Sequence, residues 1–516
     1  MRRVPLIACA AALLTALCGP AAGAGAASNA EAKAALARVE ALFDGRVNGR
    51  IDDASIRMRD LAVALPGLSP ADRARADRLL ARPTQERDPR SGYGVPEEYT
   101  CSEHFCVHYV RETDDAPPLR DAGGNGVPDF VDTVVSVLEF LWGKEIGEFG
   151  FRPPPSDVAL ANHGPDGRFD VYLDEIVDEG VLGYCAPERP SGYEFWDVPG
   201  YCVLDNDYSP SQIGPPGLGG RIELELTAVH EFFHAIQFGY DFAEDVWFLE
   251  GTATWIEDAV YDNVNEPYRR FPYSPLRQPE VPIDAYSQTR PYQYGSWVFW
   301  RYLEELLART TSRQDASVIR RVWEFADGRP GAPDLYSLEA VEATLGERGQ
   351  AFRTAFQRFA VVNFLPSTFY REGLQWPHSP LSRTFVLTGR KPRATWSVRL
   401  NHLSSRYVAF TPGAGTARNA RLVVDLDLPL TGTGATAAAI VVPRSGRPTV
   451  VTARLDFTGA GAIRVPFGRG RIARVVLVLT NASDRFTCWR PGSYFSCRGI
   501  PADEGLAYRF RARAGR

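Results

Sequence analysis

The chain has 516 residues, of which 45% are hydrophobic and 23% charged, and carries a formal net charge of -6. That length is more than one core sustains and points to about two to four domains. A mildly acidic balance without a long basic run excludes the electrostatic footprint of a nucleic-acid or anionic-membrane binder, leaving a peptide, a protein or a small molecule as substrate.

Residues 1–26 open with Arg2 and Arg3, run through LIACAAALLTAL and end in small residues resembling an AxA cleavage site. This is the pattern of a secretory signal peptide. No later stretch reaches the roughly 18 continuous apolar residues of a membrane helix, so a secreted or periplasmic protein without a membrane span is expected. Leu17 stands before Cys18 where a lipoprotein box needs a small residue, which argues against a lipid anchor. Beyond Cys9 and Cys18 six cysteines remain, as the close pairs Cys101 with Cys106, Cys185 with Cys202 and Cys488 with Cys497. An even count in an exported chain reads as disulfides. Local pairing is the expectation, and the alternative of zinc knuckles lacks any CxxC pair.

Residues 27–95 form a helical N-terminal segment with a leucine and alanine stripe, Ser69 as an N-cap and Pro70 behind it. Its place between signal and catalytic region fits a removable propeptide, and equally a permanent helical decoration. After the link RDPRSGYGVP, FCVHYV alternates as a strand. DAGGNGVPDFVD then places Asp121, Asn125, Asp129 and Asp132 at oxygen-ligand positions of a calcium loop, with Gly126 at its turn and Val127 at its carbonyl position. Gly123 departs from that pattern, and Asp132 replaces its glutamate. A turn followed by an acid-capped helix over 130–142 explains the same residues, so calcium is one of two readings. Residues 168–176 and 200–208 read as strands, the second either a structural strand or an exposed sheet edge to which an extended peptide can add.

LELTAVHEFFHAIQF, residues 224–238, is a helix with His230 and His234 on consecutive turns, about 40° apart in projection, and Glu231 beside them. Both imidazoles can grip one ion, and the carboxylate can take a proton from water that the metal acidifies, which is hydrolytic chemistry. The helix is expected to end near Gly239. Gln237 and Tyr240 stand where a metzincin needs glycine and histidine, which excludes that class. Asp241 lies too near His234 to return to the metal unless the chain reverses sharply. Glu250 opens a second helical pattern in WFLEGTATWIED, where Gly251 permits close approach.

With HEFFH, LEGTATWIE and, less specifically, PYQYGSW, residues 101–363 resemble the gluzincins, the thermolysin and aminopeptidase-like zinc hydrolases. They are most similar to exported bacterial metalloproteases that combine a GNGVPD loop, a DVYL strand and HEFFH. The resemblance implies that Glu250 completes a zinc site with His230 and His234, that Glu231 is the general base, and that Tyr292, three residues before Gly295, stabilises the oxyanion. Tyr294 is the neighbouring candidate. Thr254 stands where thermolysin-like enzymes place an aspartate that orients the first histidine, leaving Glu257 and Asp258 for that role. No GxMEN-like strand for a substrate amine is visible, so an endopeptidase is favoured.

Helical patterns near 294–307, 316–326, 338–345 and 350–363 follow, with Trp297, Phe299 and Trp300 expected to pack rather than line a cleft. Beyond Pro380 short alternating runs indicate an antiparallel β-sandwich with no catalytic constellation, a cap on the enzyme or a binding module. Asn481 lies in an NAS sequon. The expected fold class is thus α+β: an α/β subdomain over 96–245 and a helical subdomain over 246–383, together zincin-like, then a sandwich over 384–516. The competing function is a catalytically inactive zinc-containing or calcium-dependent secreted binding or adhesion protein.

Overall fold

Ser28 opens the computed structural model with a reciprocal cap: its hydroxyl accepts from the Glu31 amide, and the Glu31 carboxylate accepts from the Ser28 amide at 2.8 Å. The structure describes residues 28–45, 52–85, 92–190, 192–213, 219–307, 315–488 and 496–515; the signal-peptide reading of residues 1–26 lies outside them. Among the described residues no helix is long and apolar enough to cross a membrane. The chain is a mixed α and β protein with one mixed sheet near its N-terminus and further sheets at its C-terminus.

Helices α1 (Asn29–Phe43), α2 (Ala54–Ala64) and α3 (Pro70–Leu79) make up the N-terminal segment, and Ser69 caps α3 as the sequence predicts. They cover one face of a five-stranded sheet formed by β1 (Glu98–Cys101), β2 (Phe105–Tyr109), β3 (Phe169–Asp174), β4 (Gly183–Pro187) and β5 (Gly200–Asp205), in the order β1-β2-β3-β5-β4. Side-chain alternation divides the strands: Tyr172, Tyr184, Tyr201 and Val203 meet Leu36, Val39, Met58 and Leu61. Val171, Leu173, Cys202 and Leu204 turn the other way, onto the central helix. Strands β2, β3 and β5 run parallel, while β1 and β4 are antiparallel to their neighbours.

This order corrects the reading of residues 200–208 as an exposed edge. Strand β5 lies between β3 and β4, and the edge on that side is β4, inside a Gly, Pro and aromatic stretch that lacked a clear strand pattern. The expected disulfides form: Cys101–Cys106 faces across the β1/β2 pair, Cys185–Cys202 joins β4 to β5, and Cys488 bonds Cys497 near the C-terminus.

Arg82, 1% exposed, anchors the N-terminal segment: its guanidinium contacts Asp157 and Asp170 and meets Glu188 at 2.9 Å. His108 bridges the same network, with Nε2 2.9 Å from Asp170 and Nδ1 2.7 Å from Glu97. Removing one partner of a buried ion pair strands the other's charge. Arg82→Ala is therefore expected to lower stability by about 3–5 kcal/mol, read as a fall in the urea midpoint at constant m-value.

Helix α4 (Asp129–Trp142) and the short α5 (Pro210–Ile213) precede the central helix α6 (Gly220–Asp241), which is buried on all sides from Leu226 onward. Gly239 lies inside α6 rather than capping it; a Cβ there would stand 2.8 Å from Pro155, so close packing explains the glycine. A four-residue link leads to α7 (Val246–Val260), followed by α8 (Tyr292–Gly295), α9 (Trp297–Leu307), α10 (Ser317–Phe325), α11 (Leu338–Glu347) and α12 (Phe352–Phe364). Trp297, Phe299 and Trp300 are fully buried and pack, as expected. Gly251 faces Ser296 and Trp300, where no larger residue fits between α7 and α9.

The C-terminal strands are β6 (Arg383–Leu387), β7 (Arg393–Leu400), β8 (Ser404–Pro412), β9 (Arg421–Asp427), β10 (Ala435–Pro443), β11 (Thr449–Thr452), β12 (Ala460–Pro466), β13 (Ile472–Asn481), β14 (Phe486–Thr487), β15 (Ile500–Pro501) and β16 (Leu506–Gly515). Sheets β11-β10-β13-β8-β6 and β12-β9-β16-β7 share one apolar cluster, with β14 and β15 paired apart. Strand β6 is parallel to β8, so the first sheet is mixed rather than purely antiparallel as expected. Helix α12 covers its outer face through Ala360, Val361 and Phe364, which is why β10 and β13 read as nearly continuous apolar runs.

His402 joins the two parts of the chain. Its Nε2 lies 2.9 Å from Asp284 Oδ1 and its Nδ1 contacts Glu504. Burial by itself lowers the imidazolium pKa, but Asp284 and Glu504 outweigh it and push it from 6.5 up to about 9. A folded-state pKa above the unfolded one stabilises fully below pH 6.5 and is lost as pH rises through 9. The stability advantage of the native chain over His402→Asn should thus shrink by on the order of 3 kcal/mol between those limits, measured by urea unfolding across the pH series.

Candidate metal centre

Helix periodicity alone sets His230 above His234 on α6, with ring centroids 4.8 Å apart. The turn into α7, held by the Ala243 amide on Asp241 Oδ1 at 2.7 Å, folds the second helix back across the first. Glu250 thereby returns to the two imidazoles: its Oε2 stands 3.2 Å from His230 Nε2 and 3.8 Å from His234 Nε2. All three residues are buried, Glu250 completely, and its Oε1 has no hydrogen-bond partner.

The donor set suits a divalent cation of the zinc type. Two Nε2 atoms and a carboxylate oxygen converge within 4.8 Å. Each imidazole is braced from behind through Nδ1, by Glu257 Oε1 at 2.7 Å for His230 and by Gln237 Oε1 at 2.6 Å for His234. An acceptor at Nδ1 places the proton there and turns the Nε2 lone pair inward. Gln237 also donates to Leu249 O and Thr252 Oγ1, both at 2.9 Å, so one amide ties His234 to the helix that carries Glu250. Of the two residues expected to orient His230, Glu257 does so, while Asp258 meets Arg301 at 2.6 Å. A second acidic group, Asp258, Asp262 and Glu372, surrounds that same guanidinium, which already supplies its positive charge.

Charge in the centre is strongly coupled. Burial lowers the His230 imidazolium, yet Glu250 and Glu257 outweigh it and raise its pKa well above the ordinary value. Burial and the charge of His230 hold His234 well below it. Burial pushes Glu250 up to about 7 and raises Glu231, opposed in both cases by His230.

Beside the centre a cleft is lined by His230, Glu231, Glu257, Arg270, Tyr294 and Asp52 among others. The Tyr294 ring is 6.1 Å from His230, and the Arg270 guanidinium lies 4.7 Å over the same ring. Tyr292, expected in the oxyanion role, is not brought to the centre: its phenol bonds Gln278 at 3.2 Å and Arg290 at 3.0 Å. The two tyrosines are two residues apart on a helical turn and so face differently; the inward one is Tyr294. The sequence assigns no role at the centre to Gln237 or Arg270. Gln237, three residues after His234, had a helical-face signal; Arg270 had none.

The residues of the calcium-loop reading bond to one another and to the amides of their own loop. Asp121 accepts the amides of Gly124 and Gly126 at 2.6 and 2.9 Å, Asp129 accepts that of Ala122 at 3.0 Å, and Asn125 donates to Asp132 at 3.0 Å. Their oxygens close a turn ahead of α4. These are the contacts that the turn reading expects.

No family model matches the chain, and no curated protein matches it. Among solved structures, a family GH115 4-O-methyl-alpha-glucuronidase with specificity for decorated arabinogalactans aligns at 11% identity over 70% of this chain and 53% of that one. Its TM-score of 0.14 is too low to bear on fold or function.

Proposed function

We propose that the chain is an exported zinc metallopeptidase of the gluzincin type, cutting internal peptide bonds, with a zincin-like catalytic region followed by a β-sandwich. The convergence of His230, His234 and Glu250, each histidine braced at Nδ1, supports this reading most, because Glu231 opens onto the same cleft. The three disulfide pairs are compatible with export.

A zinc ion held by these three would supply Lewis acidity and would lower the pKa of a water towards roughly 7. Glu231 receives the proton; burial raises its pKa, which moves the base towards neutrality, where a general base works best. Glu257 and Gln237 hold the imidazoles in register. Tyr294, with Arg270 over its ring, stands where a donor can steady a developing oxyanion. Edge strand β4 passes beside Glu231 at Gly183, whose side a peptide could join as a further strand.

Metal analysis of the purified chain should find one zinc bound, and prolonged incubation with a peptide library, read by mass spectrometry, should show internal cuts. A chelator should stop them and zinc restore them. A chain that takes up no zinc, or cuts that persist after zinc is stripped, would sink the proposal.

A further inference from the structure

The N-terminal segment reaches into the cleft. Ser55, in the first turn of α2, donates its hydroxyl to Glu231 Oε2 at 2.6 Å and accepts the Cys185 amide of β4 at 2.8 Å. One side chain thus occupies the carboxylate needed as base and an outward amide of the edge strand, the two groups an incoming peptide must reach. Ahead of it, Asp52 accepts the Tyr294 phenol through its carbonyl and Arg270 through its carboxylate at 2.8 Å. Asp53 accepts from Tyr286 at 3.2 Å. Every group assigned above to proton transfer or oxyanion support is therefore engaged by residues 52–55.

The insertion is fastened at its far end. Arg59, fully buried, donates to the carbonyls of Glu244 at 3.0 Å and Ala243 at 3.4 Å in the link between α6 and α7. Ile56, Met58 and Leu61 are buried beside it. Ser55 is itself 3% exposed, and so is no surface contact.

We infer that residues 52–55 are an intramolecular occupant of the substrate cleft, so that the full chain is latent and displacement of α2 activates it. This rests on the peptidase reading above. It also decides between the two roles open to the N-terminal segment: α2 is an inhibitory element, not a decoration. A rate limited by the fraction of molecules with the cleft open rises as that fraction rises.

The test compares the zinc-loaded full chain with Ser55→Ala and with Ser55→Ala/Arg59→Ala, reading zinc content and peptide hydrolysis on the same samples. The single variant should gain a few-fold in kcat/KM, and the double variant about tenfold or more, at unchanged zinc content. A synthetic peptide of residues 52–64, added in trans to the double variant, should restore inhibition where a scrambled peptide does not. If both variants are no faster than an active parent, α2 is a permanent wall of the site; the inference falls and the peptidase reading stands. If no chain binds zinc, or none hydrolyses peptide, both fall. Should the double variant not fold, Ser55→Ala decides alone, since it removes one hydroxyl and no apolar contact.

Discussion

Glu231→Gln is expected to keep its zinc and lose its hydrolysis, with kcat/KM falling roughly a thousandfold, inside the range of about 10²–10⁴ that a positioned general base contributes. The amide keeps the shape of the carboxylate and can still pair with Ser55, so fold and cleft are preserved. It cannot accept a proton. Glu231 is not among the three residues whose ligand atoms converge, and zinc content should not change. Because the loss falls on the chemical step, kcat should carry it while KM stays near the parent value. Zinc lost together with activity would instead make Glu231 a structural support of the centre.

The second large effect is expected at Glu250, measured as zinc affinity by competition with a chromogenic chelator. Glu250→Gln removes the anionic oxygen that both Nε2 atoms face and should weaken zinc by more than about a hundredfold, taking hydrolysis with it. Glu257→Gln leaves the donors in place and removes only the anionic acceptor behind His230, so its loss should lie within about 10–100-fold. The order of the two is the discriminating result. Were Glu257→Gln the more damaging, Glu257 rather than Glu250 would be closing the site.

The same residues show how far the sequence reached. The spacing of His230 and His234 guaranteed a shared helical face, because a helix turn is a property of the backbone. Ser69 with Pro70, and the close cysteine pairs, were legible for the same local reason. Strand β4 is hidden in the sequence because its alternation lies among glycine, proline and aromatic residues, and residues 200–208 read equally as an inner or an edge strand because no local pattern specifies their neighbours. Tyr292 was chosen over Tyr294 by its offset from Gly295, whereas direction along a short helical turn decided which phenol faces His230.

What the sequence by itself determined is the chemistry on offer: two imidazoles and a carboxylate on one helix, a glutamate on the next, cysteines near enough to pair, and a β-rich C-terminal part. All of these depend on residue type and on separations of a few positions, where chain geometry leaves little freedom. Tertiary packing alone decided that Glu257 on α7 braces His230 and that Ser55 lies against Glu231 across 176 positions of chain. Contacts at that separation are set by how helices and sheet bury their apolar faces together, which no local spacing encodes.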